Sequence, residues 1–265
     1  MEIKFNKVSY VCTDNATYIK NVLSNINTTI SDKSITAIMG NSESGKSTMI
    51  EMINGIVIPT KGDIEIGNNK IGMVFQNYND QFFMDTVEKE LNFAIKHFNN
   101  KVKDIKKHIL DSLIMVGLDE TYLNRSINSL SSGEKKKLSI ASVLCTNPKI
   151  ILFDEPTLTL DNESINNLIK LIKMLKTRYD KTIIISSKDT DFIHKIADKV
   201  IILNEGKIVL EGNKYDVFIE DIEKYGLKKP RIIEFEKYVR DNKKIRLLYR
   251  DEINDLMKDI YRYVK

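Results

Sequence analysis

Apolar residues in this chain fall into two kinds of run. Ser34–Met39 (SITAIM), Lys149–Phe153 (KIILF), Thr182–Ser186 (TIIIS) and Lys199–Leu203 (KVIIL) are short, continuous and rich in branched side chains. That is the pattern of parallel strands covered on both faces. Residues 2–11 alternate and predict a further strand, as do Asp63–Ile66 and Lys70–Phe75. Helical spacing occupies the intervals. It predicts helices over about Lys46–Asn54 and Glu163–Arg178, and a mostly helical stretch from Thr86 to Cys145. Within that stretch Val102, Ile105, Ile109, Leu113 and Val116 recur as a core-facing stripe. Gly55, Pro59 and Gly62 mark a loop, and Asn204-Glu205-Gly206 turns the chain into a hairpin strand at Lys207–Glu211. Alternating strands and helices predict an α/β fold on a parallel core sheet, with a helical insert over about 81–148.

Past Gly226 the character changes. Residues 226–265 are charged and helical, with Ile232, Ile233 and Phe235, then Ile253, Leu256, Met257 and Ile260, as apolar stripes. A small appended helical unit is expected there.

Composition alters this picture little. The length of 265 residues suits one α/β domain with an extension. The net charge of +4 is a mild excess that leaves nucleic acid undecided. The two cysteines, Cys12 and Cys145, lie far apart and suggest neither a disulfide framework nor a metal knuckle. No window holds the roughly 18 apolar residues a membrane span needs, so a membrane role would come through a partner.

The chemistry concentrates after the SITAIM strand. Gly40-Asn41-Ser42-Glu43-Ser44-Gly45-Lys46-Ser47-Thr48 fits G-x-x-x-x-G-K-[ST] between a predicted strand and a predicted helix. Glycines let successive N–H groups turn inward on an anion, and the helix N-terminus adds its positive end. Lys46 would reach the β- and γ-phosphates, and the Ser47 hydroxyl would bind Mg²⁺. Asp154 and Glu155 end the KIILF strand, at the edge where parallel sheets bind ligands. Asp154 is the expected metal carboxylate, and Glu155 the base that polarises the attacking water.

A third motif narrows the class. Leu130-Ser131-Ser132-Gly133-Glu134 resembles the LSGGQ signature of ATP-binding cassette (ABC) ATPases, although Ser-x-x-Glu is also a helix capping box. Gln76 resembles the Q-loop glutamine, and Pro156–Asp161 the D-loop. The resemblance implies a P-loop NTPase fold with a parallel core sheet, an antiparallel β subdomain, a helical subdomain and a small C-terminal helical extension. The expected division is a nucleotide-binding domain over 1–225 and an extension over 226–265. It further implies ATP and Mg²⁺ as cofactors and a second ABC ATPase chain, identical or different, as partner. Ser131, Ser132, Gly133 and Glu134 would meet the partner's ATP, and Gln76 would join Ser47 and Asp154 at the metal.

Within the family, Val74–Asn77, Asp80–Phe83, Thr86-Val87 and Leu91–Ala94 are similar to the cobalt-type ATPases of energy-coupling factor (ECF) transporters. Asn54-Gly55, Pro59–Gly62, Gly226-Leu227 and Pro230 fit them also. That implies a peripheral protein on the cytoplasmic side of the cell membrane. It would work with a transmembrane coupling protein and a substrate-binding membrane subunit, taking up a vitamin or metal ion, without nucleic acid. The alternatives are another ABC importer's ATPase, or a largely non-hydrolytic member of an asymmetric pair. Four positions depart from the family pattern. Lys188 stands at the switch histidine, Glu43 and Ser132 at glycines, and Glu134 at the signature glutamine. The adenine-stacking aromatic would fall near Cys12, with Tyr10 or Tyr18 as substitutes.

Overall fold

A computed structural model describes residues 2–14, 18–98, 102–243, 250–251 and 253–263. Two sheets form its frame. The larger has six strands in the order β5 (Ile71–Val74), β6 (Ile150–Asp154), β7 (Thr182–Ser187), β3 (Ile35–Met39), β8 (Lys199–Asn204) and β9 (Lys207–Asn213). All neighbours in it are parallel except the β8–β9 hairpin. Every residue of β3, β6 and β7 is buried, which is why their sequences read as unbroken apolar runs. The smaller sheet is antiparallel, in the order β2 (Tyr18–Ile30), β1 (Ile3–Asp14), β4 (Lys61–Glu65).

One apolar cluster lies between the smaller sheet and one face of the larger. It joins Phe5, Val8, Leu23 and Ile26 to Met49 and Ile53 of helix α1 (Lys46–Ile53) and to Ile38, Leu152 and Ile184. A second, larger cluster covers the opposite face. It runs continuously from Val74, Phe153 and Ile185 into α2 (Val87–Phe98), α3 (Ile105–Met115) and α4 (Ser132–Cys145). It also takes in α5 (Asn162–Tyr179), α6 (Thr190–Ile196) and α7 (Lys214–Ile219). Each fully buried Ile or Leu in these clusters contributes roughly 1.5–3 kcal/mol of transfer free energy, which fixes the sheet as a rigid platform.

The C-terminal helices α8 (Arg231–Lys243) and α9 (Ile253–Tyr263) join the same large cluster through Ile232, Ile233, Val239 and Leu256. Ile253 and Met257 differ from the expected stripe: they face outward, while Leu256 and Ile260 pack inward. Polar links also hold the extension down. Lys214 is buried, donates to the His194 carbonyl at 2.9 Å and pairs with Asp251 at 2.6 Å.

Candidate nucleotide site

Four neighbouring strands deliver their C-terminal ends to one edge. In sheet order β5 leads to Gln76, β6 ends in Asp154 and Glu155, β7 leads to Lys188, and β3 leads to the 40–48 loop. Parallel register makes this happen: Asp154 stands beside Ser186, and Met39 beside Ser187. Residues separated by more than a hundred positions therefore line one cleft of about 610 Å³, among them Ser42, Lys46, Ser47, Gln76, Glu155 and Lys188.

The loop backbone is shaped by two glycines packed against the chain's own core. Gly40 and Gly45 have φ of 150° and 101°, and a Cβ at either would lie 2.3 Å from the Leu203 carbonyl oxygen or 2.6 Å from Leu23 Cδ2. Only glycine fits both the dihedral and the space. Lys46 is buried, and its Nζ donates to the Gly40 and Asn41 carbonyls at 2.9 and 2.8 Å, folding the ammonium back over the loop. The Ser44 hydroxyl is buried with no hydrogen-bond partner among the described residues. A buried cation, an unpaired hydroxyl and a glycine-lined curl fit a phosphate chain. Ser47 Oγ lies 3.2 Å from Asp154 Oδ1, so a hydroxyl and a carboxylate sit together as hard oxygen donors suited to Mg²⁺.

Glu155 is 7% exposed and takes φ of 43°, a left-handed conformation unusual for a residue with a side chain. Its N–H donates to Ser186 Oγ at 3.0 Å, and Ser186 Oγ in turn bonds Asp154. Lys46 Nζ stands 4.0 Å from its carboxylate. Burial raises the Glu155 pKa, with Lys46 pulling the other way. Burial likewise draws the Lys46 ammonium below its ordinary range. Lys188 Nζ donates to Ser42 Oγ at 2.6 Å, and its backbone N–H reaches Glu155 Oε2 at 3.3 Å.

Glu43 sits in the loop at φ of 60° and pairs with Lys20 at 2.6 Å. Beside it lies a second space of about 420 Å³ lined by Cys12, Lys20, Val22 and Thr48. Tyr10 packs against the smaller apolar cluster instead. The side chain of Tyr18 lies outside the described residues.

The 130–134 segment stands apart. The cleft lining contains none of residues 131–134. Ser131 caps α4, accepting from the Glu134 N–H at 3.3 Å, while Glu134 Oε2 accepts from the Ser131 N–H at 2.7 Å. The capping box is therefore real. Ser131 and Ser132 are exposed, and a Cβ at Gly133 would meet nothing within 4 Å. This chain's own packing does not require a glycine there.

Two groups were invisible in sequence. Ser186 lies inside an apolar run yet bridges Asp154 and the Glu155 N–H. Lys136 lies one turn into α4 and is buried, with Nζ 3.3 Å from the Phe75 carbonyl just before Gln76. Burial lowers its pKa to about 8.

A P-loop sheet joined to a helical arm whose helix α4 opens at Leu130–Glu134 is the architecture of the ATP-binding cassette ATPases. A profile of the family described as ABC transporter matches residues 23–158, and the chain belongs to that family. It is 35% identical over 249 residues to the energy-coupling factor transporter ATP-binding protein EcfA2 of Clostridium perfringens, covering 88% of this chain and 87% of that one. EcfA2 of Staphylococcus epidermidis is 31% identical over 267 residues, covering 94% of this chain and 93% of the relative. Among solved structures, cbiO1 of Clostridium perfringens, part of the ABC transporter complex cbiONQ, superposes with a TM-score of 0.72 at 31% identity. It covers 89% of this chain and 98% of that one. The cassette MJ0796, a dimer bound to ADP and Pi, gives 0.73 at 28% identity, over 80% and 98% of the two chains. The protein is an ABC ATPase of the ECF type, coupled to transport. Among the described residues no helix is long and apolar enough to cross a membrane.

Proposed function

We propose that this chain binds and hydrolyses Mg-ATP as one of two paired ATPase chains, energising uptake of a vitamin or metal ion through membrane-embedded partners. The carrying observation is the meeting of Lys46, Ser47, Asp154 and Glu155 at one sheet edge, with Ser47 3.2 Å from Asp154 and Lys46 4.0 Å from Glu155. In this reading residues 1–225 are the nucleotide-binding domain, with 81–148 as its helical subdomain and 226–265 as an extension.

The N–H groups of residues 41–48 cradle the phosphates, with the N-terminus of α1 behind them. Lys46 leaves the Gly40 and Asn41 carbonyls to meet the β- and γ-oxygens. Ser47 and Asp154, with Gln76, would hold the metal, which would neutralise charge on the β- and γ-phosphates. Glu155 accepts a proton from water as that oxygen bonds to the γ-phosphorus; the bond to the bridging oxygen breaks, leaving ADP and phosphate. Burial raises its pKa, which makes the carboxylate a stronger base than an exposed one. Lys188 adds a second cation on the γ-phosphate side. Ser131 and Gly133, which do not line this chain's own cleft, serve the nucleotide of the paired chain. The exposed Phe83, tilted against Phe93 at 5.5 Å between centroids, offers an apolar contact to a membrane coupling protein. The protein would sit on the cytoplasmic face of the membrane.

Steady-state hydrolysis by the assembled pair, with and without its membrane partners, tests the proposal. Glu155→Gln is expected to lower turnover at this site by about 10²–10³-fold while ATP still binds. Unchanged turnover with either version of the chain would show that this site is silent and serves its partner alone.

A further inference from the structure

Three donors converge on one carboxylate beside the signature segment. Glu134 Oε1 accepts from the Tyr122 hydroxyl at 2.7 Å and from Arg125 Nη1 at 3.0 Å. Glu134 Oε2 accepts from the Ser131 N–H at 2.7 Å. Arg125 also reaches the Ser129 carbonyl through Nη2 at 3.4 Å, and its guanidinium lies over the Tyr122 ring, 4.7 Å from the centroid. The Ser131 N–H and the Tyr122 hydroxyl hold the carboxyl at about 2, so it is ionised at any working pH.

That negative charge suits the N-terminus of its own helix. It is the wrong sign for a segment that receives phosphate, since an uncompensated carboxylate in the first turn of α4 repels a polyanion approaching Ser131 and Gly133. Arg125 supplies the compensating cation, and its backbone is fixed independently. The Arg125 carbonyl accepts from Val87 N–H at 3.2 Å, the Leu123 carbonyl from Glu88 N–H at 3.0 Å, and the Asp85 carbonyl from Ile127 N–H at 2.9 Å. The guanidinium therefore stands on a segment bonded to the start of α2, not on the helix whose charge it cancels.

We propose that Arg125 is a positioning residue of the signature, cancelling the charge of Glu134 so that the N-terminus of α4 can take a phosphate of the paired chain's nucleotide. This rests on the reading that Ser131 and Gly133 serve that nucleotide. Both Glu134 oxygens already accept hydrogen bonds within the chain, so its part here is the charge it carries.

The test is Mg-ATP-driven association of the full-length chain with its paired chain, followed by analytical ultracentrifugation in a Glu155→Gln background. Arg125→Gln is expected to raise the ATP concentration needed for half-association by roughly three- to tenfold at low salt. The deficit should shrink at about 0.5 M salt, where such charges are screened. Adding Glu134→Gln to Arg125→Gln should recover most of the loss, because the charge to be cancelled is gone. Arg125→Lys, which keeps the charge, should stay near wild type. A double variant as weak as Arg125→Gln, a deficit indifferent to salt, or an Arg125→Gln chain that associates normally would each overturn the proposal. Ser131→Arg separates the two levels. If it leaves association intact, the pairing reading falls and Arg125's role falls with it. If it abolishes association while the double variant fails to recover, only the role of Arg125 falls.

Discussion

Lys188 Nζ donates to Ser42 Oγ at 2.6 Å, joining the end of β7 to the phosphate loop across the mouth of the cleft. The same residue's N–H reaches the Glu155 carboxylate at 3.3 Å. A cation at this place can hold a γ-phosphate, but an ammonium offers none of imidazole's proton exchange near neutrality.

Lys188→Met is accordingly expected to weaken ATP binding several-fold and to slow hydrolysis further. Lys188→His should keep binding near wild type and give the pH–rate profile a new inflection near pH ~6.5, where imidazole titrates. Nucleotide titration and turnover between about pH 5.5 and 8.5 check both. Equal profiles for the Lys and His chains would remove Lys188 from the reaction.

Glu43 holds φ of 60° in a loop whose other left-handed positions, Gly40 and Gly45, are glycine. Glu43→Gly should raise the melting temperature by a degree or two through relief of that conformation, although it also loses the pair with Lys20. It removes a carboxylate from beside the phosphates as well, so ATP should bind a few-fold tighter. Calorimetric melting and nucleotide titration measure the two effects. A lower melting temperature would mean that the Lys20 pair outweighs the backbone term.

Glu236 on α8 is 2% exposed and accepts only the Arg250 N–H, at 3.3 Å, among its described hydrogen bonds. Burial lifts its carboxyl to about 7, against the opposing pull of the Arg250 N–H and, less, of Arg240. A folded-state pKa above the unfolded one means the native chain binds more protons between about pH 4.5 and 7. Stability from this group is present below pH 4.5 and is lost as pH rises through 7. Glu236→Gln removes the cost of the buried charge. It should raise the melting temperature by a few degrees at pH 8 and change it little at pH 5. Equal shifts at both pH values would contradict this account.

What sequence alone fixed was local. The phosphate loop, the Asp154-Glu155 strand end and the capping box at Ser131–Glu134 each lie within nine consecutive residues, where spacing dictates geometry directly. The buried runs that became β3, β6, β7 and β8 were legible because both faces of each strand are covered. The strand Tyr18–Ile30 was not legible. Asn25 takes φ of 52°, and the β1–β2 register shifts between Phe5 and Val11, so bulges erase the two-residue period. The helices Thr190–Ile196 and Lys214–Ile219 are too short for a periodic signal.

Only tertiary structure decided the rest, because those facts depend on which strands and helices became neighbours. The order β5-β6-β7-β3 brings Gln76, Glu155, Lys188 and Lys46 to one cleft. Packing against the core turned Leu256 inward and left Ile253 and Met257 outside, though all three share one apolar stripe in sequence. Ser186 acquired a role at Asp154 because β6 and β7 pair in register. Arg125 meets Glu134 because its backbone is bonded to the segment that opens α2. Charge and hydrogen-bonding capacity were written in the residues; which of them would meet was settled by long-range pairing that no local pattern encodes.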